Sequence, residues 1–429
     1  MKILLFFSPP YWQKLYPLNI AYLSGILKKY NIEFDVYDLN ILLYKKVAKE
    51  DLIIWKNVSF QNSFQAQKII LEKYQKIIKE SLQYVLENKF DIICYTNYSS
   101  NFGISLKIAE KIKQLKKEIK IIFGGPEILY QFLNNKNFYL NFPDVDFFVV
   151  GAGERTLENI IQGKEIEKLV LFDEYDDINE IPFPFYFSDK LKLYERKNAI
   201  SILGSRGCIN QCAFCAEKFL FKNKQFRRAE NIFEEINLLN KNHNIKWFTF
   251  FDSMINFSIE ELSKLCDLII KNNLKINWDA QFFLKNYTKE LIEKMKEAGC
   301  FNLFIGLESG SDSVLKKMKK NFTTDDAKKF FNDCKKVNLH FEISLIVNFP
   351  GETEKEFEET LEFLKANKEK IPKIAQINNY KKLAGIKIKE MEKNNRIEKL
   401  LNFLKENNFI YTEEFIGNLE KVESSNFCI

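Results

Sequence analysis

Short, almost continuously apolar runs alternate with amphipathic segments along most of this chain, and that rhythm narrows the choice of fold more than any other feature. KILLFFS (2–8), FDVYDL (34–39), DIICYTN (91–97), IKIIFGG (119–125) and VDFFVVG (145–151) read as strands. Between them YPLNIAYLSGILKKY (16–30), a long stretch over about 60–88 and SLKIAEKIKQLKK (105–117) have apolar residues at helical spacing. A βαβα order implies a parallel sheet. Strands buried on both faces lose polar alternation, as these have. Residues 1–163 are therefore expected to form a doubly wound, Rossmann-like parallel sheet in an α/β protein. Ligands of such sheets sit at the carboxyl ends of the strands. Here those ends run into SPP, YTNYSS, GGPE and GAGE.

Residues 164–198 read as a linker: LFDEYDDINEIPFPFYFSD is acidic, then rich in Pro and aromatics, and has no clear period. Pro182 and Pro184 disfavour a regular helix there. From 199 a second rhythm begins. NAISILGS, KWFTFFDS (246–253), INWDAQFF (276–283), NLFIGLESG (302–310), HFEISLIVNFPGET (340–353) and KIAQINNYKKLAG (373–385) read as strands, with helical segments between them. About six βα units predict a partial (β/α)6 barrel over 199–390 rather than a closed eightfold one. A short helical tail over 391–429 follows, its helix expected at 393–410.

Composition excludes more than it assigns. The 429 residues suffice for two domains at roughly 150 residues each. The net charge of +6, from 64 basic and 58 acidic residues, is small and dispersed, so no nucleic-acid partner is expected. Pro9 and Pro10 end the first apolar run, no cleavage site follows, and no run reaches the roughly 18 residues of a membrane span. A cytoplasmic location is expected, where thiols stay reduced. The only histidines, His243 and His340, read as surface or turn residues; a multi-His zinc hydrolase or a Ser-His-Asp triad is disfavoured. Of eight cysteines, Cys94, Cys266, Cys300, Cys334 and Cys428 are scattered and read as isolated thiols.

The other three stand together. GSRGCINQCAFCAE (204–217) sets Cys208, Cys212 and Cys215 at C-x3-C-x2-C, directly after a strand. Three thiolates can hold three corners of an iron–sulfur cube, whose coordination closes at four. A structural zinc site would also need a fourth ligand. None is near in sequence, and an open position suits a reactive centre. Phe214 places an aromatic ring beside the metal.

With that loop at the mouth of a partial barrel, the sequence resembles the radical SAM enzymes. The resemblance implies a [4Fe–4S] cluster on Cys208, Cys212 and Cys215. Its open iron would take the amino and carboxylate groups of S-adenosylmethionine (SAM), whose cleavage gives a 5′-deoxyadenosyl radical. FFDSMIN (250–256) resembles the second-strand motif, with Phe251, Asp252 and Ser253 at the methionine amine. WDAQFF (278–283) resembles the third strand, with Gln281 facing SAM. AGCFNLFIGLESGSDSVLKKMKK (298–320) resembles the fourth, with Glu308 and Ser309 at the methionine or ribose. LIVNFPGET (345–353) resembles the fifth, with Val347 and Asn348 lining the adenosine pocket.

SPP, YPLNIAYLSGIL, FGGPE and VVGAGERTLENII resemble the cobalamin-binding domain that precedes this barrel in one large class, the class B radical SAM methyltransferases. The resemblance implies cobalamin at Gly124, Gly125, Pro126, Glu127, Gly151, Gly153 and Glu154. Tyr95, Thr96, Asn97 and Ser100 would meet the corrin edge. Glycines there permit close backbone approach. The chain departs from classical cobalamin proteins in having no histidine before His243, so this domain has no His to offer cobalt. The implied activity is methyl transfer from cobalamin to an unactivated carbon of a small-molecule or peptide substrate. An external electron donor such as flavodoxin or ferredoxin is implied with it. The alternatives are a non-methylating rearrangement, cyclisation or oxidation, and a non-catalytic iron–sulfur or corrinoid sensor. A methylthiotransferase fits less well, since only Cys94 precedes the loop and only about 40 residues follow the barrel.

Overall fold

The computed structural model describes residues 1–389 and 394–412. It divides into two compact units: Met1–Lys197 with Phe219–Asn223, and Asn198–Lys218 with the described residues from Lys224 on.

The first unit is built on six parallel strands: β1 (Lys2–Phe7), β2 (Glu33–Asp38), β3 (Ile92–Thr96), β4 (Lys120–Gly124), β5 (Phe147–Val150) and β6 (Leu169–Leu171). Their order is β2-β1-β3-β4-β5-β6, the doubly wound arrangement expected. Central β3, IICYT, is buried throughout, whereas edge strand β2 alternates. Apolar continuity thus follows burial on two faces. Order reverses between β1 and β3, the topological switch point where such sheets open a crevice. Here the crevice is laced shut. Ser100 Oγ donates to the Pro10 carbonyl (2.7 Å) and Asn101 Nδ2 to that of Ser8 (3.1 Å). The Tyr11 and Tyr98 rings stack with centroids 4.2 Å apart. The stretch expected to be helical over about 60–88 holds three helices: Val58–Gln61, Phe64–Lys73 and Gln75–Glu87.

Of residues 164–198, expected to be a linker, all but Asn198 belong to this unit. β6 pairs in parallel with β5. Further on, the Phe185 N–H donates to the Ala21 carbonyl (2.9 Å), Lys190 Nζ reaches Asp35 Oδ1 (2.7 Å), and the Tyr194 hydroxyl donates to Asp38. A Cβ at Gly25 would collide with the Phe183 carbonyl, so the glycine lets this segment lie on the helix Leu18–Lys29. The aromatics that gave the segment no period are its anchors.

The second unit holds β7 (Ala199–Ile202), the two-residue strands β8 (Ser205–Arg206) and β9 (Gln225–Phe226), β10 (Trp247–Phe250), β11 (Asn277–Phe282), β12 (Cys300–Glu308), β13 (His340–Val347) and β14 (Lys373–Asn379). Six of them form one parallel sheet, β14-β13-β12-β11-β10-β7, open at its ends as a partial barrel. One face packs on helices: Phe282 stacks on Phe330, and Phe341 on Phe331. The other carries half-buried Thr249, Asp279, Gln281, Asn302, Glu342 and Asn378. A closed barrel would fill that interior with branched apolar side chains; this lumen is polar. The tail helix is Arg396–Glu406, and Tyr411 bridges to Ile374 on β14. Of the expected tail, 391–393 and 413–429, with Cys428, lie outside the described residues.

Candidate functional site

The cysteine loop leaves the barrel from β7 and is clasped at its base. β8 and β9 pair antiparallel across it, Ser205 with Phe226 and Arg206 with Gln225. Below the clasp sits Asp252, almost wholly buried at the end of β10. Its carboxylate accepts from the Gly204 N–H (2.8 Å) and the Ser205 hydroxyl (2.5 Å). Buried Arg227 donates to the Leu203 carbonyl (2.8 Å) and pairs with Glu235 (2.7 Å). Burial pushes the Asp252 carboxyl up to about 7, against Ser205, Gly204 and the Arg227 charge, which pull it down. Asp252 therefore holds the root of the loop. The ligand contact that the family resemblance implies for it would compete with two hydrogen bonds already made.

Cys208, Cys212 and Cys215 are free, half-buried thiols. Burial pushes the Cys215 thiol up to about 12, with Glu217 adding to it, and raises Cys208 as well. Among the described residues no three His, Cys, Asp or Glu side chains converge on one ion. A four-iron cube spreads its thiolates more widely than a single ion does, so this donor set fits a cluster better than a mononuclear metal. Cys208 Sγ lies 3.9 Å from Met254 Sδ, which also receives Asn210 Nδ2 at 3.4 Å. The segment between the last two cysteines is fixed: Ala213 N–H donates to the Met318 carbonyl (2.8 Å). Ala213 and Phe214 pack on Val314, Met318, Phe349 and Tyr380.

A buried cation lies over this loop. Lys320 Nζ is 5.4 Å from the centre of the Phe214 ring, 3.1 Å from Glu308 Oε1 and 3.0 Å from the Gly306 carbonyl. Burial alone would discharge the ammonium, but Glu308 and the thiols of Cys212 and Cys215 outweigh it and raise its pKa. Glu308 also accepts from Ser344 Oγ (3.1 Å). Its backbone is left-handed, φ 67°, at the end of β12. That conformation is costly for a residue with a Cβ and concentrates at functional sites. A carboxylate and an ammonium thus stand together beside three thiols. A zwitterionic amino-acid head group is complementary to that pair.

The other expected SAM residues divide. Gln281 faces the lumen, and Phe251 and Ser253 are half-buried at the end of β10. Val347 is buried, and Asn348, φ 60°, turns left-handed at the end of β13. Asn348 Nδ2 donates to Asn379 Oδ1 (2.7 Å), while its own Oδ1 is buried with no partner among the described residues. Such an orphan acceptor awaits a donor. Ser309 points elsewhere: its hydroxyl bonds Thr360 Oγ1 (3.0 Å) and accepts from the Ser311 N–H (3.1 Å). A Cβ at neighbouring Gly310 would lie 2.6 Å from Phe363 Cβ, so that glycine serves helix packing. His243 ends the helix Ala229–His243, and exposed His340 begins β13. Lys320, Arg227 and Glu352 were not legible. Lys320 is one of several lysines in KKMKKN, singled out only by the left-handed turn at Lys319, φ 56°.

In the first unit the expected corrin residues gather at the ends of β3, β4 and β5. The Asn97 N–H donates to the Gly124 carbonyl (2.8 Å) and the Glu127 N–H to that of Asn97 (3.1 Å). Asn97 Oδ1 and the Tyr95 hydroxyl are buried with no partner among the described residues, and Thr96 is buried beside them. Tyr95 lies between Phe6 and Phe123. Ser100 is spent on Pro10, and Glu127 on Ser99 (2.5 Å) and Gln131 (2.6 Å). Pro126 opens the helix Pro126–Asn134, and buried Glu154 opens Glu154–Ile161 after Gly153. The glycines do two jobs. At Gly125, φ 99°, a Cβ would meet Asn97 backbone at 2.6 Å; at Gly151, φ 94°, it would meet Phe172 at 2.9 Å. At Gly124 and Gly153 it would meet nothing nearer than 3.9 Å. Room for a Cβ at Gly124 and Gly153 leaves the backbone at these strand ends open to close approach by a large ligand such as a corrin.

Comparison with known proteins matches one family within each unit. Residues 59–161 match the B12 binding domain and residues 202–364 the radical SAM superfamily. An uncharacterized methyltransferase of Pyrococcus horikoshii is 25% identical over 296 residues, 64% of each chain. The tRNA-2-methylthio-N(6)-dimethylallyladenosine synthase of Natranaerobius thermophilus is 27% identical over 275 residues, 59% of this chain and 57% of its own length. The chain thus spans less than two thirds of either relative. The structure of the radical SAM methyltransferase TsrM from Kitasatospora setae, with cobalamin and a [4Fe–4S] cluster bound, superposes with a TM-score of 0.65. It covers 88% of this chain and 74% of its own at 15% identity, a likeness of fold.

Proposed function

The chain carries a radical SAM domain behind a B12 binding domain, and from that pairing we propose that it is a cobalamin-dependent radical SAM enzyme, a C-methyltransferase. The observation that carries the reading is the charged pair Glu308–Lys320 set against three free thiols at the mouth of a half-barrel. Cys208, Cys212 and Cys215 would hold the [4Fe–4S] cluster. Glu308 would accept a hydrogen bond from the amino group of SAM and Lys320 would donate one to its carboxylate, with Asn348 at the adenosine end. Asn97, Gly124 and Gly153 would border the corrin. When bound, these groups supply reductive SAM cleavage to a carbon radical and a transferable methyl group, chemistry that no side chain of this protein provides.

The chain's own residues supply placement. Asp252 and Arg227 root the cysteine loop, so the thiols need little reorganisation when a cluster assembles. Packing of Phe214 on Phe349 and Val314 shields one side of the loop from water. Lys320 neutralises charge that the thiolates would gather. The lumen below, with Asp279, Gln281, the Glu342–Lys373 pair (3.0 Å) and Asn378, favours a substrate that offers hydrogen bonds over a lipid. A small polar molecule or a peptide meets that condition, and a flavodoxin or ferredoxin would supply the electron. Among the described residues no helix is long and apolar enough to cross a membrane.

The test is anaerobic reconstitution of the full chain with iron, sulfide and hydroxocobalamin, then incubation with SAM and dithionite. Wild type should retain cobalamin through gel filtration and form 5′-deoxyadenosine and S-adenosylhomocysteine. A protein with an intact cluster that cleaves no SAM overturns the enzyme reading in favour of a sensor. Deoxyadenosine without any demethylation of SAM favours a non-methylating reaction.

A further inference from the structure

We infer that Arg396, in the tail helix beyond the matched radical SAM domain, is a positioning residue for the adenosine end of the SAM site. The inference rests on the SAM reading above.

The geometry is a relay of three buried side chains. Asn348 ends β13 in the left-handed region, φ 60°, which a non-glycine residue occupies only when its surroundings hold it there. Two contacts hold it. Asn379 Oδ1 accepts from its side-chain amide (2.7 Å), and Glu352 Oε2 accepts from its backbone N–H (2.8 Å). The amide is thereby oriented with Oδ1 turned to a buried place where no donor among the described residues meets it. Glu352 is itself buried, and an unpaired carboxylate there would be costly. Its charge is met from outside the barrel. Arg396 NH1 donates to Glu352 Oε2 (3.0 Å) and to the Glu352 backbone carbonyl (3.1 Å). Burial raises the Glu352 carboxyl, while Arg396 and the Asn348 N–H draw it back down. Arg396 is fixed in turn by Glu354 at Nε (3.2 Å) and by the Phe357 ring 5.6 Å below its guanidinium.

Without the guanidinium, Glu352 would take up a proton or swing toward water. Either change weakens its hold on the Asn348 N–H, and a strained residue freed from its partner relaxes. The Asn348 acceptor then leaves the position from which it would meet an N–H donor on a bound adenosine. Lys399 also pairs with Glu354, but at the surface and without touching Glu352. It separates anchoring of the helix from the relay.

The experiment measures SAM binding to the anaerobically reconstituted full chain by titrating SAM against the EPR spectrum of the reduced cluster. This readout needs no turnover. Arg396→Met should weaken SAM binding at least about tenfold, which corresponds to some 1.4 kcal/mol, at unchanged iron content, with a lowered thermal midpoint because Glu352 is left buried and unpaired. Arg396→Lys should recover part of that loss, Glu352→Gln should reproduce it should Arg396→Met fail to fold, and Lys399→Ala should bind SAM as wild type does. Wild-type affinity in both Arg396→Met and Glu352→Gln overturns the inference. So does a loss in Lys399→Ala equal to that in Arg396→Met, which would make the effect one of helix docking. A wild-type cluster whose spectrum ignores SAM refutes the SAM reading itself, a different failure from equal titration of wild type and variant.

Discussion

The carboxyl ends of the two sheets are built by opposite means. In the barrel, β12 and β13 end in charged or amide side chains held in left-handed backbone, Glu308 and Asn348, each buttressed by buried partners. In the first sheet, β4 and β5 end in glycines, and the side chains nearby are spent on loop-to-loop bonds, as Ser100 is on Pro10. The difference teaches what each end can grip. Charged groups select a small, charged ligand and lose it when one charge is removed. Uncrowded glycine backbone accepts a large ligand over many weak contacts, and no single side chain should dominate.

The sharpest break of that comparison is at the cysteines. Cys212→Ala should abolish both the reconstituted cluster and all SAM cleavage, with iron content and deoxyadenosine as the measurements, and leave cobalamin retention on gel filtration unchanged. Next is Lys320→Met. It leaves Glu308 buried and unpaired, a change worth roughly 2–5 kcal/mol where one partner of a buried pair is lost. SAM binding should weaken by at least about tenfold while the cluster still assembles. Loss of affinity no larger than that of an exposed lysine variant such as Lys289→Ala would argue against the charge-based grip.

The two kinds of site were unequally legible in the sequence for the same reason. Three thiols at fixed spacing are rare enough to be read one residue at a time, and Glu308 at a strand end is a polar residue in an apolar run. Gly124, Gly125, Gly151 and Gly153 gained meaning only as an ordered set. The structure then splits them: Gly125 and Gly151 are required by their own neighbours, whereas a Cβ at Gly124 or Gly153 would make only ordinary contacts, with Val149 and Leu23 at 3.9 Å. Lys320, Glu352 and Arg396 were invisible because their importance comes from burial, which neither charge nor spacing reveals. Residues 164–198 misled by lacking a period; their aromatics pack irregularly on the first unit instead of forming a regular element.

Those glycines sharpen the comparison further. Gly125→Ala puts a Cβ against the Asn97 backbone at positive φ, and should cost about 2 kcal/mol or more in stability, read as a lowered urea midpoint. Gly124→Ala should leave the midpoint within about 1 kcal/mol yet reduce cobalamin retention. Equal midpoints for the two variants would remove the distinction between packing glycines and ligand-facing ones.

The smallest effect concerns two buried aspartates, one at a strand end in each unit. Burial pushes Asp38 up to about 6, against the Tyr194 hydroxyl and the Ile41 N–H (2.8 Å), and Asp252 up to about 7. The unfolded value is near 4. Between pH 4 and 7 the folded chain therefore binds more protons than the unfolded chain, and stability declines as pH rises through that window and levels off above it. Asn at 252 keeps an acceptor for the Gly204 N–H and can donate to Ser205, so Asp252→Asn should fold. It should flatten the decline of the thermal midpoint from pH 4.5 to 7.5, and Asp38→Asn should flatten it less. The cluster-free protein is the one to measure, because there both carboxyls titrate without a metal nearby. A midpoint that rises with pH in wild type, or the same slope in Asp252→Asn, would mean that Gly204, Ser205 and Arg227 already hold the carboxylate charged. The root of the cysteine loop would then be an ionic lock at every pH at which a cluster could assemble.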